Sequence, residues 1–291
     1  MSDFLQILVS GSINGMTYAV IAIGFVIIYN ATQIINFAQG EYVMLGALSA
    51  IWLISGWQIP ILLAFILATA FVVVVSYAME RVTIRPQISR EPINLILITI
   101  ACSILLKGAA MFLWGKDPLP MQEFTPGAPI MLGGIAISRQ GLWIVASGFL
   151  AMFLLHLFFS RTLLGKGMIA CSIDRRTASL MGIDTKRATN MAFLLAGAIG
   201  ALAGIVLAPV TMMSYLSGTI LGLKGFCAAI LGGLNSISGV VLGGIIIGVL
   251  EALTAGYFSS GYKDAVAFIV MLLVLFFRPE GLFGKKGIKR V

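Results

Sequence analysis

The chain carries no formal charge from residue 4 to 40 and none again from 42 to 79, with Glu41 alone between the two runs. A membrane-spanning helix needs about 20 predominantly apolar residues, and hydrocarbon admits only backbone that satisfies its own hydrogen bonds. The two runs hold three such helices, over about 4–29, 36–55 and 60–79. Residues 56–59 form a turn, and Pro60 suits a helix start. The rest of the chain is no more polar: of 291 residues 59% are hydrophobic and 10% charged, and the mean hydropathy is +1.05. Soluble domains carry about a quarter charged residues, so a soluble globule is excluded.

Residues 80–92 break the apolar pattern with Glu80, Arg81, Arg85, Arg90 and Glu91, and read as an aqueous loop. A fourth helix is expected over about 93–114. Residues 115–140 form the longest irregular stretch, where Pro126, Gly127 and Pro129 followed by Gly133 and Gly134 predict a turn and a small hairpin. A fifth helix covers about 141–160. Residues 161–187 are aqueous but patterned: Ala170, Ile173, Ala178, Leu180, Met181 and Ile183 alternate with Asp174, Arg175 and Arg176. This predicts a short amphipathic helix outside the membrane that ends near Gly182. Further helices are expected over about 188–209, 223–234, 240–255 and 264–277. The expected fold is therefore all-α: a polytopic transmembrane bundle of eight or nine helices, forming one domain over residues 1–291.

Lysine and arginine placement orients it. Most of the 19 basic residues fall in 80–91, 161–187 and 278–291, which are expected to be cytoplasmic. The N-terminus carries Asp3 and no basic group, so it is expected outside, with the C-terminus inside. It also lacks the basic region of a cleavable signal peptide, so the first stretch is expected to stay as a helix. Topology thus accounts for the net charge of +8 without nucleic acid as a partner.

Chemistry-bearing motifs are scarce. Cys102, Cys171 and Cys227 form no CxxC pair, and the one histidine, His156, rules out a histidine-based metal cluster. No GxxxxGK[ST], GxSxG or HExxH occurs, so no catalytic residue, metal ligand or cofactor-binding residue is assigned. Energy for concentrative transport would come from a partner. Small residues recur at helix-packing spacing (Gly11 and Gly15, Gly200 and Gly204, Gly239/Gly243 and Gly244/Gly248), for internal packing or for a subunit or pore interface. Ionisable groups within the spans are Glu41, Lys107, His156, Lys224 and Glu251. Glu251 admits a translocation role or a packing role. Residues 36–49 loosely echo 223–236 with opposite direction through the membrane. An inverted repeat and a shared bias toward small residues both account for that. Candidate pathway residues are Asn36, Gln39, Glu41, Gly232, Gly233, Asn235 and Glu251; close helix packing is the rival reading of the glycines.

Several runs together resemble the permeases of branched-chain amino acid ABC transporters. They are residues 35–47 (INFAQGEYVMLGA), Glu80-Arg81-Val82 with Arg85-Pro86, residues 178–184 (ASLMGID), residues 231–244 (LGGLNSISGVVLGG) and residues 278–284 (RPEGLFG). The resemblance implies a multi-pass importer subunit of the bacterial inner membrane, needing no cofactor of its own. It would pair with a second, related permease (a heterodimer), with two cytoplasmic ATPase subunits that use ATP, and with an external solute-binding protein. It also implies that residues about 170–184 form the coupling helix, with Asp174, Arg175, Arg176, Leu180 and Gly182 facing the ATPase. Lys107 departs from the expected pattern, and the substrate stays open among branched-chain amino acids, urea, short amides and aromatic acids. Two other classes remain as rivals. A passive channel of the aquaporin type needs Asn-Pro-Ala half-helices, and no Asn-Pro occurs; a secondary carrier needs an ion relay that these residues do not assemble.

Overall fold

The computed structural model describes residues 2–87 and 91–284. Arg90 and the basic tail 285–291, both used above for orientation, lie outside them. The helices in chain order are α1 (Ser2–Thr32), α2 (Gln39–Trp57), α3 (Ile61–Met79), α4 (Pro92–Trp114), α5 (Arg139–Arg161), α6 (Leu163–Ile173), α7 (Arg175–Leu180), α8 (Thr185–Leu207), α9 (Ser217–Gly232), α10 (Ile237–Tyr257) and α11 (Lys263–Phe277). A π-helical turn, Glu80–Ile84, continues α3. Among the described residues, seven helices are long and apolar enough to cross a membrane. The polar first turn of α2 lowers its hydropathy, and α9 has 16 residues. The all-α bundle read from the sequence is what forms.

Local chemistry sets the boundaries. Ser138, Asp184 and Ser236 accept backbone N–H groups at the starts of α5, α8 and α10, and Pro92 opens α4 where its missing N–H costs nothing. Strands β1 (Ile130–Leu132) and β2 (Ile135–Ile137) pair antiparallel, Leu132 opposite Ile135. Gly133 and Gly134 both take positive φ, the requirement of the tight hairpin turn expected there.

Helix α1 is the axis of the molecule, with Ile21, Ile23, Phe25 and Ile27 almost fully buried. It packs on α10 through glycine faces. A Cβ added at Gly15 would lie 2.6 Å from Ile245 Cα, and one at Gly11 2.8 Å from Val249 Cα. Lipid supplies no hydrophobic drive between helices, so backbone approach of this kind provides the contact. Within the chain, the GxxxG faces of α1 and α10 therefore do internal packing.

Three expectations need correction. Residues 161–187 form two helices rather than one, because Asp174 leaves the helical region to cap α7. Helix α8 starts at Thr185, three residues before the apolar run suggested, under its Asp184 cap. Helix α9 starts at Ser217 rather than near 223, so the glycine-rich stretch through Gly218 and Gly222 is helical.

Candidate functional site

After α1 the chain turns through Gln33, in the left-handed region at φ 58°, and runs without helix to residue 38. It does not stay at the surface. Phe37 N donates to Thr99 Oγ1 of α4 at 3.2 Å, and Gln39 Nε2 donates to Ala196 O, midway along α8, at 3.1 Å. Helix α2 thus begins inside the bundle. Helix α9 begins beside it: Phe37 meets Phe226 with ring centroids 5.5 Å apart, while Glu41 meets Thr219. Later residues of α2 meet earlier residues of α9, so the two first turns overlap antiparallel. Only glycine permits that approach, since a Cβ at Gly40 would strike Gly218 O and lie 2.7 Å from Gly222 Cα. The residues that meet Gly40 and Glu41, namely Gly218, Thr219 and Gly222, precede the echoed stretch 223–236, and of the contacts named here only Phe226 falls within it.

Around this crossing lie three of the sequence candidates. Asn36, Gln39 and Glu41 are all buried. Asn36 Oδ1 accepts from Ala38 N at 3.1 Å and holds the turn into α2. Glu41 Oε1 accepts from Ser103 Oγ on α4 at 3.0 Å and from Thr219 Oγ1 on α9 at 3.1 Å. Asn36 Nδ2, Gln39 Oε1 and Glu41 Oε2 are buried without a hydrogen-bond partner. Ser103 and Thr219 were not among the residues expected. Each is a lone hydroxyl on another helix, and such residues are too common in sequence to single out.

Glu251 sits elsewhere, in a second buried polar group. Lys224 Nζ of α9 lies 3.0 Å from Glu251 Oε1 of α10 and 2.7 Å from Asp264 Oδ1 of α11. Glu251 Oε2 accepts from Tyr18 OH of α1 at 2.7 Å and from Lys224 at 3.1 Å. The Oε1 contact is an ion pair outside hydrogen-bond geometry. These groups join α1, α9, α10 and α11.

Gly232, Gly233 and Asn235 are not brought to the Glu41 crossing. Gly232 packs on Gly239 and Val240 at the turn into α10, and Gly233, at φ +98°, packs on Glu280 and Gly284. Leu282 N and Phe283 N donate to Leu231 O and Gly232 O, and Asn235 is exposed. Both glycines pack closely on neighbouring backbone.

The segment around α7 presents two different faces. Asp174 caps α7 by accepting from Arg176 N and Thr177 N. Arg176 is exposed, as are Leu180 and Met181, and Gly182 ends the turn at φ +85° with open space around it. Arg175 points the other way. Its guanidinium donates to Ala31 O at 3.0 Å, Thr189 Oγ1 at 2.9 Å and Thr185 O at 3.3 Å, locking α7 to α1 and α8. Burial pulls its pKa below the usual arginine value, opposed by Cys171 and by Glu80 of the π-helical turn. Arg175 therefore anchors the segment to α1 and α8.

The family profile described as "Branched-chain amino acid transport system / permease component" matches residues 7–275. The high-affinity branched-chain amino acid transport system permease protein BraD of Pseudomonas aeruginosa is 35% identical over 301 residues, covering 99% of this chain and 98% of its own. The corresponding LivH protein of Escherichia coli (strain K12) is 32% identical over 304 residues, again covering 99% and 98%. Among solved structures, a chain of PsaBC from Streptococcus pneumoniae in complex with Fab superimposes with a TM-score of 0.51 at 15% identity, over 95% of this chain and 92% of that one, a likeness of fold alone. The chain belongs to the branched-chain amino acid transport system permease family.

Proposed function

We propose that this chain is the membrane-spanning permease subunit of an ABC importer for branched-chain or other apolar amino acids. The whole chain acts as one permease domain, pairs with a second, related permease, and receives solute from an external binding protein. Two ATPase subunits on the cytoplasmic side supply the energy, so the subunit needs no nucleotide site or cofactor of its own and is not itself an enzyme. The observation that carries the proposal is the crossing of α2 and α9. Helices α2 and α9 lie with their first turns side by side, and free helix ends with polar side chains between them suit a solute pathway. The near full-length likeness to BraD and LivH, named as high-affinity branched-chain amino acid permeases, supports the substrate class.

In this reading the protein lies in the bacterial inner membrane with its N-terminus outside and C-terminus cytoplasmic. Three placements support one basic end. The α6–α7 segment is tied to the C-terminal end of α1 through Ala31 and Gln33, Glu80 lies in the field of Arg175, and residues 278–284 pack at the end of α9, which runs alongside α1. The hairpin sits at the other end, where Gln6 exchanges two hydrogen bonds of 2.8 Å with Ala136. The ATPase docks on α7 and the turn after it, through Asp174, Arg176, Leu180 and Gly182. Its closure shifts α7, and Arg175 carries the shift to α1 and α8. Copurification tests the assembly: the tagged permease expressed with its genomic neighbours should bring down ATPase subunits and take up leucine in an ATP-dependent way. A permease that purifies alone and equilibrates solute without ATP would refute the proposal.

A further inference from the structure

We infer that Glu41, Ser103, Thr219 and Lys107 form a binding subsite for the zwitterionic main chain of the transported amino acid; this rests on the import reading above. Glu41 is 1% exposed, yet one carboxylate oxygen, Oε2, has no hydrogen-bond partner. An unpaired buried acceptor is costly, so the carboxylate gains from a cation brought close to it. Oε1 is satisfied by the Ser103 and Thr219 hydroxyls, which spend their protons on Glu41 and keep lone pairs to offer.

The two half-exposed hydroxyl oxygens are acceptors for a primary ammonium, and the Glu41 carboxylate behind them, its Oε2 packed against Gly218, supplies the charge. The charge on Glu41 is held at this depth by the first turns of two helices, α2 and α9, whose positive ends favour an anion. Lys107 lies one helical turn beyond Ser103 on the same face of α4. Among the described residues no carboxylate lies within ion-pair distance of it, so its ammonium is open to the carboxylate of the same solute.

The surroundings fit the remaining part of an apolar amino acid. Ser103, Thr219 and Lys107 are half-exposed, in front of buried Glu41, so the group opens outward between α4 and α9. The α4 face that bears Ser103 and Lys107 also carries Ile100 and Ile104, and the α9 face that bears Thr219 carries Ile220 and Leu223, all exposed. Apolar walls over a paired carboxylate and ammonium match an aliphatic zwitterion. They match urea and short amides poorly, since those would leave both charges unpaired.

The test uses the complete complex, with second permease, ATPases and binding protein, in proteoliposomes loaded for leucine uptake. E41Q keeps the shape and one acceptor oxygen but removes the charge. Loss of a charged hydrogen bond should lower uptake at sub-saturating leucine at least about tenfold, with the ATPase subunits still assembled on the permease. K107M should raise the leucine KM of uptake. Wild-type uptake in E41Q would overturn the inference. If E41Q does not assemble, K107M decides: a raised KM upholds the subsite and an unchanged one overturns it. Failure of the wild-type complex to import any amino acid would instead overturn the import reading itself.

Discussion

Lys224 Nζ lies 3.0 Å from Glu251 Oε1, a contact between α9 and α10 with both side chains more than nine-tenths buried. Asp264 completes the charge pattern at 2.7 Å and is half-exposed, so the group carries two carboxylates to one ammonium, with one carboxylate open to water. Tyr18 bonds to both members of the buried pair. The position joins four helices, which makes it a structural bolt. It also stands apart from the Glu41 crossing, to which it contributes no side chain.

The first prediction follows from that asymmetry. Removing one partner of a buried pair costs about 3–5 kcal/mol because the other is left uncompensated. Lys224→Ala leaves Glu251 with Tyr18 alone, whereas Glu251→Ala leaves Lys224 with Asp264. Both variants should lower the unfolding midpoint of the purified complex, Lys224→Ala by more. Equal midpoints with impaired uptake would reassign Glu251 to translocation.

A second prediction concerns backbone approach. Gly40→Leu drives a side chain into Gly218 and Gly222, and Gly232→Leu into Gly239 and Val240. Overpacking costs typically about 1–3 kcal/mol, and more where the obstacle is backbone. Both variants should assemble poorly in detergent. Gly108→Leu is the control: an added Cβ there meets nothing within 4 Å, so assembly should match the parent. Normal assembly of Gly232→Leu with blocked uptake would restore Gly232 to the pathway.

Much of this was legible in the sequence, for reasons that differ by element. The long helices were, because a span leaves a run of apolar residues that no other use requires; α3, Ile61–Met79, matches the helix expected over 60–79 almost to the residue. The start of α9 was not. Ser217 to Gly222 reads as a glycine-broken loop, and only the antiparallel contact with Gly40 explains why helix and glycine coincide there. Asn36, Gln39 and Glu41 were picked out as polar residues in an apolar run, and the structure does bury all three. Their partners Ser103 and Thr219 sit on other helices, where a lone hydroxyl is too common to carry a signal. Arg175 was read with Asp174 and Arg176 as one charged patch; three neighbouring charges say nothing about direction, and the fold turns the middle one inward.

The orientation predicts a labelling pattern. In a cysteine-free background, Cys placed at Gln122, in the stretch leading to the hairpin, should react with an impermeant maleimide added outside. Cys placed at Arg85, at the opposite end, should react only after the membrane is opened. The reverse pattern would invert the topology and move the ATPase site away from α7.

The last prediction separates docking from anchoring within α7. Leu180 and Met181 are 82% and 79% exposed, two large apolar side chains side by side at the end of a capped helix. Exposed apolar groups of this kind mark contact surfaces, and removing them affects the fold little. Leu180→Asp should therefore detach the ATPase or abolish its coupling, with permease stability within about 0.5 kcal/mol of the parent, as for ordinary surface changes. Arg175→Ala should behave differently. It deletes donors to Ala31, Thr185 and Thr189, leaving their acceptors in a partly buried seam and freeing α7 from α1 and α8. Hydrogen exchange over 163–185 should rise, ATPase subunits should still copurify, and ATP hydrolysis should continue without uptake. If Arg175→Ala instead loses the ATPase as Leu180→Asp does, with exchange unchanged, then Arg175 is a docking contact and the shift reaches α1 and α8 by another route.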